Sequence, residues 1–346
     1  MKQLIDKLHA QKHLSKEEYV SLFSSYTPAD ASYAATLAQE IKNSVYGKNV
    51  FIRGLIEISS YCKNNCYYCG ICRSNKNAQR YRLSKEEILD CCRSGYKAGF
   101  RTFVMQGGED PWYTDAIMAD IISSIRAEFP DCAITLSLGE KGHDSYERFF
   151  RAGANRYLLR HETADEAHYR ILHPEPLTLE NRIKCLWDLK QIGYQVGCGF
   201  MIGSPGQTPQ TLAEDFLFLE KFQPHMVGMG PFLPHKDTIF RDHPGGSVDL
   251  TLFLLSLCRI LLPKVLLPAT TALSTASADG KLLGVLHGAN VVMPNLSPWD
   301  KREKYMLYDN KFPSGKDPVA AVHELSEKMA TIDHTVVIGR GDHKDI

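Results

Sequence analysis

Three cysteines spaced Cys62-x-x-x-Cys66-x-x-Cys69 follow an apolar run from Phe51 to Ser59. Thiolates are the ligands of iron–sulfur clusters, and a [4Fe–4S] cube normally takes four of them. A loop offering three leaves one iron without a protein ligand, and an open metal position is what separates a catalytic site from a closed structural one. Ten cysteines placed at random in 346 residues would give this spacing about 0.01 times. The competing reading is a structural zinc site completed by Cys72, although a fourth thiolate would block the open iron. The other six cysteines, at 91, 92, 132, 185, 198 and 258, sit in helix or strand patterns as small buried hydrophobes.

A reactive loop needs a frame. Forty basic residues balance forty acidic ones and 44% of the chain is apolar, enough for one large α/β domain or two smaller ones. No basic stripe interleaved with aromatics points to nucleic acid, so the expected substrate is a small molecule. Reduced cysteines without a signal peptide lead us to expect a cytoplasmic protein. The longest apolar stretch, Leu250 to Leu262, carries Thr251, Ser256 and Arg259 and is too short to span a bilayer.

Residues 1–48 show helical apolar spacing (Leu4, Leu8; Tyr19, Leu22, Phe23; Ala34, Leu37, Ile41) and read as a helical cap. Beyond it, strand-like runs fall near 51–59, 102–106, 133–138, 156–160, 195–202, 226–230, 265–269 and 290–293. Helices with start signals lie between them: Ser84 with Glu87, Thr178, and Thr208-Pro209. Eight alternations predict an α/β fold, a (β/α)8 TIM-type barrel over 49–312 with an N-terminal helical extension; six strands in an open barrel is the alternative. Residues 313–346 read as one amphipathic helix and a polar tail. In such barrels reactive groups sit at the C-terminal ends of strands. The cysteine loop and the polar strand ends at Gln106–Asp110, Ser137–Glu140, Arg160–Thr163, Gly203–Gly206, Pro231–His235 and Ala269–Thr271 therefore converge on one mouth.

The chain resembles the radical S-adenosylmethionine (SAM) superfamily from about Phe51 to Tyr308. Its motif is present as Cys62-Lys-Asn-Asn-Cys66-Tyr-Tyr68-Cys69, with an aromatic before the third cysteine. Within the superfamily it is most similar to the HydE family of [FeFe]-hydrogenase maturases, with biotin synthase and methylornithine synthase more distant. That likeness rests on Asn75-Lys-Asn77 and Arg80-Tyr-Arg82, Gln106-Gly-Gly-Glu-Asp-Pro111, Thr135-Leu-Ser-Leu-Gly-Glu140, Arg156-Tyr-Leu-Leu-Arg-His-Glu-Thr163, Gly203-Ser-Pro-Gly-Gln-Thr208, Gly230-Pro-Phe-Leu-Pro-His235 and Pro268-Ala-Thr-Thr-Ala272.

The resemblance implies one [4Fe–4S] cluster on Cys62, Cys66 and Cys69, since no cysteine follows Cys258 to hold a second. It also implies SAM on the open iron, cleaved by one electron to methionine and a 5′-deoxyadenosyl radical. Tyr68 would lie beside the adenine, Gly107 and Gly108 would let their backbone approach the methionine amino group, and Glu109 would shape that turn. Arg182 would meet the carboxylate, Glu162 and Ser137 the ribose, and Met201 and Met229 the adenosine. The family further implies a site for an iron(II) complex bearing carbonyl, cyanide and cysteine at Arg53, Gln106, Thr135, Arg156, Arg160, Thr270, Thr271, Met293, Tyr305 and Tyr308, with other hydrogenase maturases and an electron donor as partners.

Simpler readings stand beside these. Arg156 and Arg160 fit ordinary barrel ion pairs, His161 a structural histidine, Met201 and Met229 core residues, and Thr270 and Thr271 a strand end. At the level of the whole chain, a radical-SAM enzyme acting on a small amino acid or thiol, and a non-catalytic cluster or zinc carrier, remain as alternatives.

Overall fold

The computed structural model describes residues 1–311 and 317–345. Three helices open the chain, α1 (Lys2–Gln11), α2 (Lys16–Ser25) and α3 (Pro28–Tyr46). Then follow β1 (Asn49–Ile52), β2 (Gly54–Ser59), α4 (Lys85–Lys97), β3 (Thr102–Gly107), α5 (Asp115–Glu128), β4 (Ala133–Ser137), α6 (His143–Ala152), β5 (Arg156–Leu158), α7 (Glu166–Leu172), α8 (Leu179–Ile192), β6 (Gln195–Ile202), α9 (Pro209–Phe222) and β7 (Met226–Pro231). The remainder is α10 (Val248–Leu261), α11 (Thr271–Ala276), α12 (Gly280–Leu286), β8 (Val291–Val292), α13 (Trp299–Arg302), α14 (Pro318–Ala330) and β9 (Thr335–Val337).

Local chemistry starts the helices where the sequence placed their signals. Ser84 and Glu87 form a reciprocal capping box on α4, Thr178 caps α8, and Thr208 caps α9 with proline in its first turn. Strands β2 to β7 pair in parallel in sequence order. The ring then closes through the segment around Leu266 and Pro268, which bridges Met226 on one side and Val291 on the other, while β8 pairs with β1 and Asn295 bridges Leu55. This is the expected eight-position barrel. Its seventh position is held by isolated bridges, so the run near 265–269 packs as a strand without forming a full ladder. The N-terminal helices pack outside, with α2 on α9 through Tyr19, Phe23 and Phe216 and α3 on α10.

The C-terminal segment departs from its sequence reading. Helix α14 forms, but β9 then pairs in parallel with β1, and Arg340 and Asp342 run under the N-terminal end of the barrel. The boundary drawn at 312/313 lies outside the described residues.

Candidate active site

Strand alternation sorts the inward side chains into layers, since residues two apart share a face. On β5 the inward series is Arg156, Leu158 and then Arg160 just beyond the strand, so the two arginines stand about 13 Å apart along the chain direction. Near the C-terminal mouth, Tyr68, Cys69, Gln106, Gly107, Ser137, Arg160, Glu162, Arg182, Met201, Thr270, Tyr305 and Tyr308 line one cavity. Leu158, Leu307 and Gly139 also line it, and sequence reasoning assigned none of the three a role.

The cysteine loop forms one side of this cavity. Cys62, Cys66 and Cys69 are free and partly buried. Burial pushes the Cys66 thiol up to about 12 and raises Cys62 and Cys69 as well. Such thiols become ligands only when a metal's positive charge displaces their protons. Among the described residues no three Cys, His, Asp or Glu side chains converge on a single ion; ligands to separate irons of a cube stand farther apart than those of a zinc knot. Cys72 is buried and its Sγ faces the Ser74 hydroxyl at 3.6 Å. Three thiols beside a polar-lined cavity therefore fit a cluster with one exposed corner.

Gly108 has a packing reason of its own. A Cβ there would meet the Tyr61 carbonyl oxygen at 2.2 Å and Cys62 Cβ at 2.7 Å. The missing side chain lets the turn after β3 press against the ligand loop. Because the obstacle is backbone, Gly108→Ala should displace the loop and cost about 1–3 kcal/mol. Reduced iron content after reconstitution, read with the unfolding midpoint, checks this. Glu109 braces the same turn: its carboxylate accepts from the Glu140 N–H at 3.0 Å and lies 3.3 Å from Lys63 Nζ.

Arg182, also lining the cavity, is buried, with Nε 2.6 Å from Glu140 Oε1. Glu162 has φ of 65°, a left-handed conformation uncommon for a side chain of this size. Its backbone N–H donates to the Gly199 carbonyl, and its carboxylate lies 3.1 Å from Arg160. The neighbouring His161 points away from the cavity into a buried contact with Asp215 at 3.2 Å, which matches its structural reading. Thr270 lines the cavity and also caps α11 by accepting from the Leu273 N–H.

Sequence reasoning missed His173. It stacks on Tyr169 with ring centroids 4.0 Å apart, and its Nε2 lies 3.3 Å from the Tyr68 hydroxyl. Burial, helped by the charge of Arg182, pushes its pKa down to about 3. A depressed histidine pKa gives stability that is present above the unfolded value and lost as pH falls below it. Between pH 6.5 and 5 this group should cost about 1.5 kcal/mol. Urea denaturation across that range checks it, with the pH slope reduced by that share in His173→Gln.

Several expected site residues lie elsewhere. Met229 pairs in register with Phe200 while Gly230 pairs with Met201, so alternation turns Met229 outward into the hydrophobic core. Thr271 begins α11 and does not line the cavity. Arg53, Thr135, Arg156 and Met293 sit toward the barrel floor. Met293 packs with Tyr46, Met226, Leu266 and Val291. Arg156 meets Asp342 at 2.7 Å, and Arg53 Nη1 lies 2.7 Å from Met226 Sδ. Arg156 thus takes the ion-pair reading, with a counter-ion that comes from the chain itself. No sequence signal tied Asp342 to this strand.

Residues 56–219 match the model of the Radical SAM superfamily. Over 275 residues the chain is 46% identical to the [FeFe] hydrogenase maturase subunit HydE of Thermotoga maritima, covering 80% of this chain and 78% of that protein. The chain belongs to the HydE family of radical SAM enzymes. Similarity extends to 3-methylornithine synthase of Methanosarcina acetivorans, 27% identical over 91% of this chain and 89% of that one. Among solved structures, methylornithine synthase (PylB) superposes with a TM-score of 0.84 at 26% identity, covering 96% of this chain and 97% of that one. The maturase HydG shares the fold, with a TM-score of 0.80 at 18% identity over 96% of this chain and 74% of that one. HydE-family membership makes this a radical SAM enzyme and implies a [4Fe–4S] cluster and SAM. The cysteine loop and the cavity beside it are the parts of this fold suited to hold them.

Proposed function

We propose that this HydE-family enzyme cleaves SAM at one three-cysteine cluster and acts on an iron(II) precursor of the [FeFe]-hydrogenase di-iron site bearing carbonyl, cyanide and cysteine. The supporting observation is that one cavity runs from Cys69 past Gln106 and Arg160 to Tyr305 and Tyr308. A cluster ligand and a second set of polar groups thus share one cavity. When bound, cluster and SAM supply one-electron cleavage of the sulfonium and radical chemistry.

The chain's residues do the positioning. Cys62, Cys66 and Cys69 hold the cluster. Arg182, held through Nε by Glu140 and through Nη1 by the Arg160 carbonyl, lines the cavity with a fixed positive charge suited to a carboxylate. Tyr68, steadied by His173, offers an aromatic face beside the adenine. Glu162 accepts from ribose hydroxyls with Ser137 nearby, and Met201 gives apolar contact. Gly107 brings bare backbone to the cavity lining. Beyond them stand the Arg160 guanidinium, partnered by Glu162 at 3.1 Å, and the polar groups of Gln106 and Thr270, and Tyr305 and Tyr308 close the far wall. Gln106 Nε2 donates to the Tyr305 hydroxyl at 3.3 Å, which ties the substrate side to strand β3.

The test is anaerobic reconstitution, an iron count, reduction, and assay of 5′-deoxyadenosine with and without a synthetic iron(II) cysteine carbonyl–cyanide complex. We expect four cluster irons per chain, and SAM turnover that rises with the complex and consumes it. Equal turnover without the complex, or stimulation by a free amino acid or thiol instead, would move the assignment to an organic substrate.

A further inference from the structure

Strand β2 reads Gly54-Leu-Ile-Glu-Ile-Ser59, with one carboxylate in a buried and otherwise uncharged run. Ile56 and Ile58 pack in the hydrophobic core, and alternation puts Glu57 on the other face of the strand. Its register partner on β3 is Gln106, which lines the cavity. Paired residues of neighbouring strands point the same way, so Glu57 faces the barrel interior. It is 1% exposed, and a carboxylate buried this far is retained only with partners. Glu57 Oε2 accepts from Asn295 Nδ2 at 2.9 Å, while Oε1 accepts from Lys311 Nζ, 254 positions later in the chain.

Lys311 does more than neutralise this charge. Its ammonium also donates to the Tyr305 carbonyl at 3.1 Å and lies 5.1 Å from the centroid of the Tyr305 ring. The phenol end of the same residue accepts from Gln106 Nε2 at 3.3 Å. Two adjacent strands therefore grip one buried tyrosine, β2 through Lys311 at its backbone and β3 directly at its hydroxyl. The residues from Tyr305 to Lys311 form a strap tied down along its length. The Gly70 N–H donates to the Leu307 carbonyl at 2.9 Å, the Asp309 N–H to the Pro234 carbonyl at 3.1 Å, and the Lys236 N–H to Asp309 Oδ2 at 2.6 Å. Tyr305, Leu307 and Tyr308 of this strap line the cavity.

We propose that Lys311, through its ion pair with Glu57, is a positioning residue for the substrate wall: it pins the end of the strap so that Tyr305 and Tyr308 hold a fixed face toward the reacting substrate. The inference rests on the reading of these two tyrosines as the far wall of the substrate site. Arg182, Glu162 and Met201, which are assigned to SAM, stand on α8, beyond β5 and on β6. The pair therefore acts on the substrate and leaves SAM binding alone. A wall displaced by about 1 Å costs roughly a hundredfold in rate when reacting groups must be held in register.

The experiment compares cluster-loaded wild-type enzyme with K311M/E57Q, which removes the pair without stranding a charge, and with K311R, whose fork can donate to both oxygens. Hydrogen exchange read by mass spectrometry follows the Gly70 and Asp309 amides. Formation of 5′-deoxyadenosine is assayed with the synthetic iron(II) cysteine carbonyl–cyanide complex. In K311M/E57Q we expect the two amides to exchange about tenfold faster, with β4 to β6 protected as in the wild type. We expect kcat/KM for the complex to fall about ten- to a hundredfold, the KM for SAM to stay unchanged, and K311R to recover most of both losses. Unaltered exchange of the strap, or equal damage to the KM values for SAM and for the complex, overturns the proposal. If K311M/E57Q fails to fold or to hold iron, exchange in E57Q alone decides: a faster strap supports the pinning role and an unchanged one refutes it. A wild type that the complex does not stimulate would remove the substrate assignment, while the exchange data would still judge whether the pair fixes Tyr305, so the two failures are distinct.

Discussion

Cys66→Ala yields no detectable 5′-deoxyadenosine and loses the visible absorption of the cluster, a fall well beyond the about 100-fold that outer-shell changes around metals produce. Cys66 is the middle donor of the loop, and its thiol, pushed up to about 12 by burial, becomes a ligand only when a metal displaces its proton. Cys72→Ala makes the matched control. Its Sγ faces Ser74, so this variant should assemble a cluster and turn over SAM near the wild-type rate. Equal damage from both substitutions would mean that four thiolates share one closed site, and the open-iron reading would fail. Measuring iron, sulfide and product on the same samples separates loss of the cluster from loss of folding.

Asp342→Ala should destabilise the folded protein by about 3–5 kcal/mol, the cost of stranding a buried charge. Arg156 is fully buried, and Asp342 accepts from it at 2.7 Å while also accepting from Gln195 at 2.8 Å and Arg340 at 2.8 Å. Burial alone would raise the Asp342 carboxyl, but the Arg156 charge and the bonds from Arg340 and Gln195 outweigh it and hold the group below the usual carboxylate range. Arg53 lies toward the same end of the barrel with Nε and Nη2 unpartnered, so the alanine variant leaves two buried guanidinium groups without a carboxylate. Urea unfolding checks the magnitude. The double variant R156M/D342L should recover most of the loss, because an apolar pair of matched size avoids desolvating either charge. A small effect of Asp342→Ala would show that the C-terminal segment rests on the barrel without closing it.

Much of the fold was legible in the chain. Capping residues at 84, 178 and 208 marked helix starts because the unsatisfied N–H groups there are bonded by a side chain only one turn away. Most of the residues at the mouth were legible for a related reason: strand ends in a parallel barrel gather at one rim whatever their distance in sequence. Facing was harder. Met229 and Met201 are the same residue type at the ends of adjacent strands, but the register Phe200 to Met229 sends one into the core and leaves the other on the cavity. Depth was harder still. Arg156 and Arg160 look alike in sequence, yet four residues of extended chain carry one to the floor and leave the other at the mouth.

The chain by itself determined the ligand loop, because three thiols within eight residues are kept close by covalent geometry in any fold. It also determined the alternation of strand and helix, since each element's apolar period is a local property. Only the tertiary structure decided which inward side chains meet a ligand and which are answered by the protein. Asp342 reaches Arg156 across 186 positions, and nothing in a local pattern records a counter-ion delivered from that far away.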